Sequence, residues 1–433
     1  LYNLKTAGLI DNLKVVKKMA KQENEKIVVG LDIGTTKVCC VIGEVDDNGG
    51  LSFIGIGHAV SRGLKKGIVV DVETTVEAVR KAVDEASRMA GVEVASVFAG
   101  IAGSHVKGLN TEAVVAVAGK NKEVTKGDVE RVIEAVTTQS VPPDREVIHI
   151  IPQEFILDEQ DEIRAPVGMY GQRLRAKVHV VTASGPRTQD IVRSIEKAGY
   201  FVEDIVLQPY ASSEAVLTQD EKELGVVMVD IGGGTTDIIV FSEGGVRHTA
   251  VVAIGGMQVT NDVAIGLRAP IETAEEIKKS FGGAFAGIIN ETEEVRVKLI
   301  GDRPDRVVPK RIIAEIIQPR MEEIFEFVAQ ELRLNGLDGK MPSGVVVTGG
   351  ASLIPGIEEV VEKVMKLPVR IGYPHGINDL VTIANSPMYA TAVGLALYGA
   401  KAKAEGKSGL RFSSKSSIEN TFSNIKEWFK ALF

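Results

Sequence analysis

The spacing of apolar and polar positions in this chain repeats itself. Residues 28–57 read VVGLDIGTTKVCCVIGEVDDNGGLSFIGIG, and residues 226–256 read VVMVDIGGGTTDIIVFSEGGVRHTAVVAIGG. Both run as an apolar strand, Asp-Ile-Gly, a Gly/Thr turn, a second apolar strand, a glycine-bearing turn and a third strand ending in glycine. Short apolar runs bounded by turn residues predict strands, so each copy predicts a three-stranded β-meander. Helical periodicity follows each one, over 72–90 and over 257–265. Two βββα units so far apart imply two like domains facing each other.

Between the copies, residues 95–177 carry β, α and β patterns inserted within the first half. A helix is predicted over 125–138, with Thr125 as its cap and Asp128 in its first turn. Residues 344–356, GVVVTGGASLIPG, predict a buried strand running into a Gly-Gly turn, with a helix from about 356 to 366. Residues 401–416 are small, polar and basic, with five basic residues against one acidic, and read as a flexible linker. The last seventeen residues, 417–433, form an amphipathic pattern. On a helical projection Ile418, Phe422, Ile425, Trp428, Phe429, Leu432 and Phe433 cover an arc of about 140°. Such a helix is roughly 25 Å long with one polar face, so it suits lying in a membrane interface and not crossing it. A final helix docked on the protein's own body is the other reading of that pattern. Residues 1–25 are lysine-rich, with Leu9, Leu13 and Val16 marking either a short helix or a misassigned start.

Composition narrows the class. A chain of 433 residues is too long for one core, and its hydrophobic and charged content is that of an ordinary globular protein. The net charge of −8 argues against a general nucleic-acid binder. The two cysteines, Cys39 and Cys40, are adjacent on a predicted strand and point to opposite faces, a poor disulfide pair. With no secretory pattern, the cytoplasm is the expected compartment.

The chemistry lies in the first turn of each meander. Gly34, Thr35 and Thr36, and Gly232, Gly233, Gly234, Thr235 and Thr236, leave backbone amides open to an anion and add hydroxyl donors. Asp32 and Asp230, at the strand ends, would repel bare phosphate and make sense if Mg²⁺ lies between, held through water. A tight hairpin alone could explain one copy; two in matching contexts point to a phosphate site. The chain has no G-x-x-x-x-G-K-[ST] motif, and its turns join strand to strand, so neither a P-loop nor a Rossmann site applies. Gly349 and Gly350 would let the backbone lie flat against an adenosine, or form a plain strand-to-helix turn. Glu275 and Lys278, one turn apart, could both reach a ribose or form an exposed ion pair.

These residues resemble the actin/Hsp70/sugar-kinase superfamily, an α/β, ribonuclease H-like duplicated fold with two domains around a nucleotide cleft. The resemblance implies ATP and Mg²⁺, with phosphate loops at Asp32–Lys37 and Asp230–Asp237 and an adenosine loop at Thr348–Ser352. It implies connecting segments at Ile205–Leu217 and Ser386–Ala400, and a water-positioning role for Gln208. Within the superfamily, GIVVDVE (67–73), GSHVKGLN (103–110), HIIPQEFILD (149–158) and PMYATAVGLALYG (387–399) are similar to the FtsA family of bacterial cell-division proteins. That likeness covers almost everything from residue 26 on. It implies subdomain 1A at 26–95, 178–212 and 381–400, a filament-forming subdomain 1C at 96–177, 2A at 213–261 and 331–380, and 2B at 262–330. It further implies binding of the C-terminal peptide of FtsZ at Lys310, Arg311 and Arg320, with self-assembly, membrane lipids at the terminal helix and other division proteins as partners. The expected place is the cytoplasmic face of the inner membrane at midcell, with slow or negligible ATP turnover. A sugar kinase or phosphatase needs a substrate-directed carboxylate that is not evident here. An Hsp70-type chaperone needs a large domain after the last core helix, and the related pilus-assembly protein PilM lacks the tail.

Overall fold

Each Asp-Ile-Gly run closes a central strand buried along almost its whole length. β1 (Ile27–Ile33), β2 (Lys37–Val45) and β3 (Leu51–Val60) form the first antiparallel meander. They are seen in a computed structural model that describes residues 26–46, 50–290, 292–301, 304–375 and 384–404. Cys39 and Cys40 are both fully buried, one against the core shared by the two halves and the other in the first domain's own core. A small hairpin, β4 (Leu64–Lys65) and β5 (Ile68–Val69), leads into α1 (Val72–Ala90). Asp71 caps α1 by accepting from the Thr74 amide, which gives the GIVVDVE run a local structural role. β6 (Ser96–Ile101) then returns parallel to β1.

The chain next leaves this sheet to build a second one from β7 (Lys107–Ala116), β8 (Arg145–Leu157), β9 (Gln160–Ile163) and β10 (Arg173–Ser184). Their order is β7-β10-β8-β9, and α2 (Lys126–Ser140) supplies Val129, Val132, Ile133 and Val136 to its core. Thr125 and Asp128 form a reciprocal capping box at the start of α2, as the sequence predicts. α3 (Gly185–Ala198) and β11 (Phe201–Leu207) complete the first sheet in the order β11-β6-β1-β2-β3. The inserted sheet itself runs from Lys107 to Ser184, within and slightly past the 96–177 expected for the insertion. β6 is hydrogen-bonded between β1 and β11 in the first sheet, and β10 runs on to Ser184.

α4 (Gln208–Val216) and α5 (Gln219–Leu224) cross to the second half. There β12 (Val226–Ile231), β13 (Thr236–Ser242) and β14 (Gly245–Val252) form the second meander, followed by α6 (Gly256–Leu267) and α7 (Ile271–Phe281). A two-stranded ribbon, β15 (Glu294–Val297) with β16 (Arg306–Pro309), precedes the long α8 (Lys310–Leu334). β17 (Val345–Thr348), α9 (Ile357–Met365) and β18 (Val369–Ile371) close the sheet in the order β14-β13-β12-β17-β18. Read from the meander outward, this matches the first sheet strand for strand.

α10 (Ala390–Ala404) brings the chain back under β1 and crosses α4. A Cβ at Gly394 would lie 1.8 Å from the Ala211 carbonyl oxygen, so only glycine permits that approach. The helix runs four residues past the expected limit at Ala400. Lys401 is paired with Glu214, and Lys403 donates to the Ile27 carbonyl at 2.6 Å, so neither belongs to the expected linker. The rest of that linker, the amphipathic segment 417–433 and residues 1–25 lie outside the described residues.

The inserted sheet also grips the second half. The His179 ring bonds Asn110 Oδ1 at 2.7 Å and Thr249 Oγ1 at 2.9 Å, while Gln153 donates to the Val246 carbonyl at 2.8 Å. Val246 and Thr249 are on β14, whose far end runs on to the second Asp-Ile-Gly hairpin.

Candidate functional site

The two hairpin turns have the same geometry. Gly34 N–H donates to the Lys37 carbonyl at 2.9 Å, and Gly232 N–H donates to the Thr235 carbonyl at 2.9 Å. The register pairs Asp32 with Cys39 and Asp230 with Asp237. The turns meet face to face: a Cβ on Gly233 would lie 2.4 Å from Thr36 Oγ1, and one on Gly234 would lie 2.5 Å from Thr35 Oγ1. Residues nearly two hundred positions apart thus form one cleft floor.

The carboxylates beneath these turns are held by hydroxyl and amide donors. Gln208, the first residue of α4, donates from Nε2 to Asp32 Oδ1 at 3.0 Å. Ser212 Oγ donates to Asp230 Oδ2 at 2.7 Å, and Thr391 Oγ1 donates to the same oxygen at 3.2 Å. Burial pushes the Asp32 carboxyl up to about 6, opposed by Lys37 and assisted by the negative Asp230. Asp230 is raised for the same first reason, with the Ser212 and Thr391 bonds and Lys37 opposing.

A third carboxylate joins them. Asp237 is buried, accepts from Thr235 Oγ1 at 3.1 Å, and leaves Oδ1 without a partner. Burial, then Asp230 and Asp32, hold it well above the usual carboxylate range. Sequence reasoning passed over Asp237 as a separate residue. The available signal was the hairpin register, which sets the last residue of DIGGGTTD opposite its first.

Around this floor stand the other expected residues. Lys37 Nζ bonds the Met388 carbonyl and lies 4.4 Å from the centre of the Tyr389 ring. Gly349 follows β17 with φ 85°, and a Cβ there would lie 2.4 Å from Asp230 Oδ1. Gly350 is open, its nearest Cβ neighbour being Met388 at 3.9 Å, and the Ser352 hydroxyl is turned back onto the Gly349 carbonyl at 2.7 Å. Glu275 and Lys278 do form an ion pair, at 2.6 Å, but Lys278 is buried and not at the surface. Its ammonium donates to the Gly256 carbonyl at 3.1 Å and to Thr260 Oγ1 at 2.9 Å. Gly256 N–H in turn bonds the Gly232 carbonyl at 2.9 Å, so the pair braces the second hairpin from behind.

The residues present fit a nucleotide with its cation. Glycines clear the backbone on both sides, and an unpartnered buried carboxylate oxygen with two more acids beside it calls for positive charge. Among the described residues no three His, Cys, Asp or Glu side chains are set to hold a metal directly. A divalent ion here would have the carboxylates of Asp32, Asp230 and Asp237 as the nearby protein oxygens.

Away from the cleft, Lys310, Arg311 and Arg320 of α8 have acidic partners. Lys310 pairs with Glu293 at 2.7 Å and Arg311 with Glu315 at 3.2 Å. Arg320 forks onto Asp262 at 2.7 and 3.1 Å, tying α8 to α6. No helix among the described residues is long and apolar enough to cross a membrane.

Comparison with known proteins agrees with this architecture. Residues 227–394 match the family model for cell division protein FtsA, and residues 103–182 match the SHS2 domain inserted in FtsA. The latter spans β7, α2, β8, β9 and nearly all of β10. The chain is 44% identical over 419 residues to the cell division protein FtsA of Pseudomonas aeruginosa, covering 96% of this chain and all of that one. Among solved structures, the PilM-PilN type IV pilus biogenesis complex superposes with TM-score 0.64 at 16% identity, over 86% of this chain and 98% of that one. MreB5 of Spiroplasma citri bound to ADP superposes with TM-score 0.54 at 15% identity, over 89% of this chain and all of that one. The fold is the actin-like one, and the chain belongs to the FtsA family of cell division proteins.

Proposed function

We propose that this chain is an ATP-binding, filament-forming adaptor of bacterial cytokinesis, which ties the FtsZ ring to the inner face of the cytoplasmic membrane at midcell and brings in later division proteins. The observation that carries the ATP reading is the contact of two Asp-Gly hairpins across the cleft, Gly233 and Gly234 against Thr36 and Thr35. Amides and hydroxyls of Gly34–Lys37 and Gly232–Thr236 would bind the phosphates, and Gly349, Gly350 and Ser352 would face the adenosine. Glu275 and Lys278 stand at the ribose side. Mg²⁺, when bound, would neutralise the phosphate chain between the halves. Asp32 and Asp230 would hold its waters, with Asp237 buried beside them. Gln208, with its amide nitrogen committed to Asp32, retains a carbonyl oxygen to orient water. Turnover is slow on this reading. The fold relative MreB5 bound to ADP supports the nucleotide class.

Nucleotide bridging the halves favours the closed, assembling conformation, with the inserted subdomain 1C as the filament contact. The terminal segment, through Ile418, Phe422, Ile425, Trp428, Phe429, Leu432 and Phe433, enters the lipid interface. Pelleting with ATP and anionic vesicles tests both parts: the full chain should sediment with lipid, whereas a chain ending at residue 405 or carrying Trp428→Glu should not. Co-sedimentation of the truncated chain at the full level overturns the membrane reading.

The FtsZ peptide is proposed to dock on the N-terminal end of α8. Lys310, Arg311 and Arg320 all have acidic partners, but Arg320 ties α8 to α6 through Asp262, so the variant that disturbs the fold least is Lys310→Glu with Arg311→Glu. It should weaken peptide binding about tenfold or more, since charge-assisted bonds are each worth roughly 1.5–3 kcal/mol. Unchanged affinity by fluorescence anisotropy places the docking surface elsewhere.

A further inference from the structure

Helix α4 touches both cleft aspartates. Gln208 and Ser212 are four residues apart, so they project from one face, about 6 Å apart along the axis. Gln208 donates to Asp32 in the first half, and Ser212 donates to Asp230 in the second. The Ser212 hydroxyl is fully buried and also lies 3.0 Å from Thr391 Oγ1, which comes from α10. Each hydroxyl has one proton. Whether Thr391 donates to Ser212 or directly to Asp230, the carboxylate's Oδ2 is the end of the network. Its Oδ1 faces the bare backbone of Gly349, where a Cβ would lie only 2.4 Å away.

The same two helices carry the chain between the halves, and their backbones meet tightly at Ala211 and Gly394. Ser212 follows Ala211 directly, and Thr391 precedes Gly394 by three residues, close to one helical turn. Because Ser212 and Thr391 lie within a turn of that contact, any rotation of one half against the other about it would change the distance between the two hydroxyls.

We propose that Ser212 and Thr391 are positioning residues: they aim the Asp230 carboxylate and make its grip on a cation conditional on the closed crossing of α4 and α10. This rests on the ATP·Mg²⁺ reading above and adds to it which groups couple the cation to domain closure. The hydroxyls touch neither nucleotide nor metal. They act through Asp230 alone.

The test is equilibrium titration of the full chain with a fluorescent ATP analogue, once with MgCl₂ and once with EDTA, alongside thermal melts. Wild type should bind more tightly with Mg²⁺. Ser212→Ala combined with Thr391→Val should lose about tenfold or more of that Mg²⁺-dependent gain, while binding in EDTA changes little. Thr391→Ser keeps the hydroxyl and should retain the wild-type ratio even if the double variant proves too unstable to titrate. Thr391→Val alone then supplies the comparison. A double or single variant that keeps the full Mg²⁺ gain overturns the proposal, as does a Thr391→Ser loss equal to that of Thr391→Val. Wild type that binds no analogue under either condition instead sinks the nucleotide reading itself, and this inference with it.

Discussion

Gly234 and Thr35 illustrate how single residues decide this cleft. The missing side chain of Gly234 is what lets the Thr35 hydroxyl stand against the opposite hairpin, and a Cβ there would be 2.5 Å from it. Gly234→Val puts branched bulk into that contact. Overpacking of this kind costs about 1–3 kcal/mol, here charged to domain closure more than to folding of either half. The expected outcome is at least tenfold weaker binding of an ATP analogue by titration, with an unchanged far-UV circular dichroism spectrum. The glycines and threonines were legible in the sequence because their chemistry is local. The partnership of Gly234 with Thr35 was not, since nothing local says which turn faces which. Asp237 was missed for a related reason. Its importance comes from burial beside two other acids, and burial depends on the strands stacked over it.

At the scale of the element, meanders and capped helices follow from pattern. β1–β3 and β12–β14 appear where alternation and turn residues place them, and the Thr125 capping box starts α2 as expected. Boundaries set by tertiary contact were less legible. α10 continues through Lys401 and Lys403, a stretch that reads as linker because it is basic and small. The reason is Glu214 on α4, which is nearly buried and pairs with both Lys222 and Lys401. Those lysines hold its carboxyl below the usual carboxylate range against the opposing effect of burial. Glu214→Ala leaves a buried ammonium unpaired, and breaking such a pair costs about 3–5 kcal/mol. Urea denaturation should show that loss; a change below about 1 kcal/mol, the value of a surface pair, would mean the trio is only a surface ion cluster.

Taken as a whole, the molecule has its inserted subdomain locked to the second half by a buried, neutral histidine. Burial pushes His179 down to about 3 and His149 down to about 4, from an ordinary 6.5. The unfolded chain takes up these protons below 6.5, whereas the folded chain does so only near the lowered values. Stability from these two groups is full above 6.5 and is lost as pH falls from there toward 4. His179→Gln should be less stable than wild type at about pH 7.5, and the gap should narrow by up to about 2 kcal/mol at about pH 5. Urea titrations at the two pH values measure it, and a constant gap would mean that His179 is not held neutral at this contact.

The duplication, the two hairpins and the residue types that suit a phosphate site were set by the linear pattern, because strand alternation and glycine's freedom act over a few neighbours. Which strand of the insertion joins which sheet, which acids meet under the cleft, and which lysines are helix and which tail were settled only by folding. Those outcomes depend on contacts between residues far apart in sequence, and on a local dielectric that exists only once both halves have closed around α4 and α10.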